Sequence, residues 1–147
     1  MKQKLVRKVP LKRIKKPKVK TLTKLKLEVQ KYFNLFIRPR DISCGSFVCI
    51  SCSNIFPADK CQAGHFFGTK MYNHMRYLET NVHSECAGCN CFNHDSLIMY
   101  TLNIQNKISK EEFDSLIQIS KEEHKEFTRN ELNILLLKYK KITLKNS

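Results

Sequence analysis

Cys49-Ile-Ser-Cys52 and Cys86-Ala-Gly-Cys89 are two C-x-x-C pairs with 33 residues between them. Two residues between ligands let one tight turn aim both thiolates at the same tetrahedral zinc, and the second pair completes a Cys₄ set. With all four positions thiolate, none stays open for a substrate, so the expected zinc is structural and its removal should unfold the centre of the chain. The spacer exceeds the roughly 15–20 residues usual between such knuckles, so something is inserted between them. A single C-x-x-C also suits redox chemistry; a double one points to metal. Cys44, Cys61 and Cys91 remain, and read as ordinary residues, since C-x₄-C geometry from Cys44 is a poorer way to reach the same ion.

The inserted segment carries the chemistry-bearing side chains. It holds Gln62-Ala-Gly-His65 and Asn81-Val-His83, and Asn90 directly follows the last knuckle cysteine. A helix started by the second knuckle would project Asn90 towards the strand that holds His65. Each residue alone is weak evidence, because Asn commonly caps or turns and a lone His is usually a satisfied structural group. Their bracketing by a metal clamp is what singles them out.

Helical periods lie on both sides. Leu22, Leu25, Val29, Tyr32, Phe33 and Phe36 recur at three- and four-residue intervals, one apolar helical face, which Pro39 and Asp41 should stop. From Leu97 the period returns. Ser109-Lys-Glu-Glu112 and Thr128-Arg-Asn-Glu131 match the capping box, and apolar spacing follows each, predicting a C-terminal helical hairpin. The expected organisation is a basic disordered arm over 1–20, a helix over 21–40, a zinc-clamped core over 41–96, and helices over 97–147.

Charge is uneven. The 147-residue chain carries 27 Lys+Arg against 13 Asp+Glu, a net +14. Residues 1–20 hold ten basic side chains and no acid, and residues 21–40 add a further +4. The centre, 41–106, has three basic and five acidic residues, and the remainder is +2. A lysine-rich arm suits contact with phosphates, each of which releases counterions when neutralised. The candidate contacts are Lys12, Arg13, Lys15, Lys16, Lys18 and Lys20 on the arm, with Arg38 and Arg40 at the end of the first helix. No run of about 18 apolar residues suggests a membrane span, and the N-terminus lacks the apolar stretch of a signal peptide. The seven cysteines, an odd number, belong in a reducing compartment.

The pattern Phe36-Ile-Arg-Pro-Arg-Asp41, Cys49-x-x-Cys52, Ala63-Gly-His65-Phe66, Glu79-Thr-Asn81-Val-His83-x-x-Cys86-x-x-Cys89-Asn90 resembles the lambdoid-phage NinG (Rap) recombination nuclease family. The resemblance runs from about residue 22 to the C-terminal helices and leaves out the arm. It implies an α+β fold with a small zinc-stabilised ββα-metal (HNH) core, similar also to endonuclease VII-type junction resolvases. It implies a phage- or prophage-encoded enzyme of the host cytoplasm, dependent on Mg²⁺ or Mn²⁺, that nicks branched DNA such as Holliday junctions or D-loops. A homodimer would suit a symmetric cut, though no heptad marks one.

Carried over residue by residue, His65 matches the general base, Asn81 the middle Asn that orients the motif, and Asn90 the terminal ligand of the catalytic metal. His83 fits the Asn-x-His element as ligand, phosphate contact or outer-sphere group. The roles of the two histidines can also be reversed, with His65 the ligand and His83 the base. One departure matters: many such enzymes carry Asp directly before the catalytic His, and this chain has Gly64 there, with Gln62 where an acid is also common. Asp59 and His83 are the nearby substitutes. That departure supports a rival reading, a non-catalytic zinc-stabilised DNA-binding module or phage regulator. A third is an RNA-binding zinc ribbon.

Overall fold

The computed structural model describes residues 19–92 and 96–145. Lys12, Arg13, Lys15, Lys16 and Lys18 of the arm lie outside the described residues. Helix α1, Leu22–Arg40, starts at Thr21, whose hydroxyl accepts from the Lys24 N–H at 3.3 Å. Its buried face is Leu25, Val29, Phe33 and Ile37, with Tyr32 and Phe36 half-buried and Leu22 exposed. The helix does not stop at Pro39. It runs through it to Arg40, and the Asp41 N–H closes the last turn on the carbonyls of Arg38 and Pro39.

Among the described residues five short strands follow: β1 Ile42–Ser43, β2 Ser46–Val48, β3 Ile55–Pro57, β4 Gln62–His65 and β5 Val82–Glu85. They make two antiparallel sheets, β1-β2-β3 and β4-β5. The β1–β2 turn is Cys44-Gly45 with φ of 49° and 74°, the left-handed pair that a two-residue hairpin loop requires. In the second sheet Gln62 pairs with Glu85, Ala63 with Ser84, Gly64 with His83 and His65 with Val82. One turn of π-helix, Gly88–Phe92, follows β5, and then come α2 Ser96–Lys107, α3 Lys110–Ser120 and α4 Arg129–Lys145. No described helix is long and apolar enough to cross a membrane.

Both capping boxes form. Ser109 Oγ accepts from the Glu112 N–H and Glu112 accepts in return from the Ser109 N–H, while Thr128 and Glu131 make the same exchange. The two capped helices nevertheless do not pair as a hairpin: α3 packs with α2, and α4 lies along α1. They feed different apolar clusters. Leu132 and Tyr139 of α4 pack with Leu25, Val29 and Phe33 of α1 and with Tyr77 and Val82. Leu116 of α3 packs with Tyr100 and Ile104 of α2 and with Ile50 and Met75. A third cluster is built from Phe47, Cys61 and three knuckle cysteines. The fold is a mixed α+β domain in which α1 and α4 cover one side of the β4–β5 hairpin while Tyr100 of α2 lies against the other.

Candidate functional site

The first knuckle is the β2–β3 connection. The Cys49 N–H donates to the Asn54 carbonyl and the Ser53 N–H to the Cys49 carbonyl, both at 2.9 Å, with Ser53 at φ 60° making the reversal. The second knuckle is the step from β5 into the π turn, where the Asn90 N–H donates to the Cys86 carbonyl and the Cys86 N–H points at Cys49 Sγ, 3.4 Å away. All four Sγ atoms, of Cys49, Cys52, Cys86 and Cys89, lie within 4.8 Å of one another. Thiolates about 2.3 Å from a tetrahedral zinc would stand about 3.8 Å apart, so the set can hold a metal ion such as zinc. Burial pushes the Cys49 and Cys89 thiols up, and for Cys89 the neighbouring sulfurs add to it. Four thiolates this crowded ionise together only around a cation. Cys44, Cys61 and Cys91 stand apart: the first is in the β1–β2 turn, the second lies against Ser84 Oγ at 3.0 Å, and the third faces Gln62.

The clamp lies at the Gln62–Glu85 end of the β4–β5 hairpin, and alternation along the strands sorts its side chains onto two faces. Ala63, His65, Val82 and Ser84 share one face; Gln62, Gly64, His83 and Glu85 share the other. The candidate residues are therefore divided between them.

His65 is half-buried. Its Nε2–H donates to the Arg76 carbonyl at 3.0 Å, which leaves the Nδ1 lone pair without a partner among the described residues. Burial, together with the nearby Arg76 charge, lowers its pKa, so the ring is neutral near pH 7. Asn81 explains how the ring is aimed. Fully buried, it accepts from the Phe67 N–H at 2.8 Å and donates to the carbonyls of Phe67 and Met75, each at 3.1 Å. It thus ties the segment just after His65 to the carbonyl one residue before the one that His65 contacts.

His83 is built differently. Arg40 Nη2 donates to its Nδ1 at 3.1 Å and its Nε2–H donates to the Thr80 carbonyl at 3.1 Å, so both nitrogens are taken. Burial first, then the charges of Arg40 and Lys107, press its pKa down to about 4. Arg40 is directed inward: it also pairs with Asp41 and donates to the carbonyls of Glu79 and Val82. Burial would raise the Asp41 carboxyl, but Arg40, Lys107 and the Ser84 N–H outweigh it and hold the pKa at about 2. A cleft of about 360 Å³ passes this group, but its Asp41 and Glu79 carboxylates are already matched by Arg40, Lys107 and Lys138. Arg38 is exposed, and Lys20 is paired with Glu28.

Asn90 does reach β4, where its Nδ2 donates to Gln62 Oε1 at 2.7 Å. The strand residue it meets is Gln62, on the face opposite to His65. Gly64 has a steric reason to be glycine: a Cβ there would lie 2.1 Å from Glu85 Oε2 and 2.8 Å from Glu85 Cβ. Glu85, 4% exposed, is the residue that sequence reasoning missed. Its Oε1 accepts from buried Ser51 at 2.5 Å, and burial raises its pKa. The available signal was strand alternation from His83 to Glu85 opposite a glycine.

A family model described as Bacteriophage Lambda NinG protein matches residues 2–146, a span that takes in the arm as well as the core. The Protein ninG of Escherichia phage 933W is 33% identical over 89 residues, covering 60% of this chain and 42% of that protein. That of Escherichia phage lambda is 32% identical over the same length and coverage, and that of Salmonella phage P22 is 32% identical over 81 residues, 55% of this chain and 38% of that protein. The chain thus aligns with about two fifths of each of these relatives. No solved structure matches it. The knuckle spacing, the β4–β5 hairpin and the match along nearly the whole sequence have one reading: the chain belongs to the NinG family.

Proposed function

We propose that the chain is a metal-dependent DNA endonuclease that nicks branched recombination intermediates, Holliday junctions or D-loops, through an HNH-type core held by a structural zinc. The observation that carries this reading is His65: a neutral imidazole with one nitrogen oriented by the Arg76 carbonyl and the other bearing a lone pair that no described residue engages. That is the arrangement of a general base poised near neutral pH. His83, with both nitrogens bonded, is not equipped for the task and serves as a buried link between α1 and β5.

In the proposed reaction His65 Nδ1 takes the proton of the attacking water, and the Nε2–H bond to Arg76 stabilises the imidazolium that results. Asn81 holds the loop that sets the ring's direction. Asn90 keeps Oδ1 unengaged by any described residue because its Nδ2 is turned to Gln62, and an amide oxygen suits a hard divalent cation. Mg²⁺ or Mn²⁺, when bound there, would supply charge stabilisation to the phosphate and to the leaving 3′ oxygen, and because His65 is on the other face of the hairpin the substrate would have to reach both past the end of β4. The lysine-rich arm and exposed Arg38 meet the DNA backbone, and recognition of a branch rests on shape and charge since no base-reading helix motif is present. A symmetric cut calls for two chains on one junction.

The rival, a zinc-stabilised DNA-binding module without catalysis, is favoured by one observation, the glycine at 64 in place of an acid. Incubating the purified chain with a labelled four-way junction, with and without Mg²⁺ or Mn²⁺ and beside His65→Ala, separates them. Metal-dependent nicking that disappears in the variant is expected. Tight junction binding with no cleavage in either metal would replace the nuclease with the binding module.

A further inference from the structure

We propose that Glu85 supplies the carboxylate ligand of the catalytic divalent cation, reaching across the hairpin to the place that a side chain at residue 64 would otherwise fill. This assignment rests on the nuclease reading and deepens it.

Gly64 and Glu85 are one packing solution. The ideal Cβ of residue 64 falls 2.1 Å from Glu85 Oε2, so a side chain at 64 and the Glu85 carboxylate exclude each other. The carboxylate missing from the residue before His65 is therefore present in space, delivered from the partner strand. Its neighbours on that face have the right chemistry. Glu85 pairs in register with Gln62, and Gln62 in turn receives the Asn90 amide at 2.7 Å, so Asn90 and Glu85 flank the same side chain. Carboxylate and amide oxygens are the donors a hard dication takes, with water and DNA phosphate completing the shell.

The carboxylate is also held in a manner that leaves one oxygen for a ligand. Ser51 Oγ donates to Oε1 at 2.5 Å, and Oε2 has no hydrogen bond from any described residue. Both members of that bond are anchored by the knuckles, since Ser51 precedes Cys52 and Glu85 precedes Cys86. A carboxylate 4% exposed with a single hydrogen bond from the described residues is costly to bury, and a cation on its second oxygen removes the cost. The structural metal would then set the geometry of the catalytic one.

The test is direct binding of Mn²⁺ to the full, zinc-replete chain, read from the free-ion electron paramagnetic resonance signal, with zinc content measured on the same samples. Glu85→Gln keeps the size of the side chain and an oxygen for Ser51. It is expected to weaken Mn²⁺ affinity at least about tenfold, as loss of a ligand or its support does, while zinc stays at one per chain. The swap Gly64→Asp with Glu85→Gly vacates the space and returns a carboxylate from residue 64; it is expected to restore most of the Mn²⁺ affinity. Unchanged Mn²⁺ affinity in Glu85→Gln, with junction nicking by the wild type intact, would overturn the assignment and leave the nuclease reading standing. Loss of zinc in Glu85→Gln would overturn it too, by making the carboxylate a structural group. A wild-type chain that binds no Mn²⁺ would end both.

Discussion

Phe33 in α1 and Cys49 in the first knuckle are both fully buried, and for opposite reasons. Phe33 sits edge-on to Tyr77 and Tyr139, with ring centroids at 5.7 and 5.0 Å, inside a cluster contributed by α1, α4 and β5. Nothing but removal of apolar surface from water is needed to keep it there. Cys49 has three other sulfurs within 4.8 Å, a grouping that repels itself once ionised. The strands around it are two to four residues long, too short to hold a sheet without help. One half of the domain is held by area; the other gathers four cysteines that can hold a metal ion such as zinc. The candidate catalytic side chains lie along the seam, on the hairpin that α1 covers on one side and the knuckles grip at its end.

The largest effect should come from removing the metal. Chelation at neutral pH is expected to abolish dispersed amide signals over 42–65 and 82–92 while helical circular dichroism falls only in part, since structural zinc in small knuckles is worth about 10–16 kcal/mol. If those signals survive stoichiometric zinc loss, ligation does not hold the centre. Next is the apolar half: Phe33→Ala should cost about 3–5 kcal/mol in denaturant unfolding, with zinc content unchanged. A drop in zinc binding of the folded variant would mean that the two halves are not separable.

The third prediction concerns the seam and its pH dependence. His83 faces Arg40, Lys107, Asp41 and the Thr80 carbonyl, and its pKa of about 4 lies below the ordinary 6.5. Between those values the unfolded chain binds the proton that the folded one refuses, so stability falls as pH drops from about 6.5 to about 4. The full loss is about 3 kcal/mol below both values. His83→Gln should flatten that slope relative to the wild type; an equal slope would place its origin in His65, whose pKa burial also lowers, or in the cysteines. Below pH 4 the Asp41 carboxyl, held at about 2, adds its own acid-side loss. The smallest effect is Ser109→Ala, which removes the α3 cap and should cost about 1 kcal/mol without touching zinc or DNA binding.

What could be read from the sequence was local. Ligand spacing of two residues, the Ser109 and Thr128 boxes, and the face Leu25-Val29-Phe33 are short-range patterns, and each has its counterpart in the structure. Helix α1 ends at Arg40, with Pro39 inside the last turn that Asp41 closes behind it. The rest depends on contacts distant in sequence. No local signal tells α4 to lie along α1 instead of α3, or shows that Arg40 turns inward to His83 instead of outward to phosphate. The difference between the histidines is of the same kind: identical side chains two-faced across one hairpin, one with a spare nitrogen and one without. Glu85 escaped notice because its significance is the space above Gly64, twenty-one positions away in the chain.

The claim that one metal holds the domain while another serves the cut is most directly tested by junction nicking on zinc-counted protein. With one zinc per chain and no other metal, the rate should be zero, then rise and saturate as Mn²⁺ or Mg²⁺ is added, with His65→Ala flat throughout. Nicking by the zinc-only protein that added Mn²⁺ leaves unchanged, or no nicking at any concentration, would contradict it.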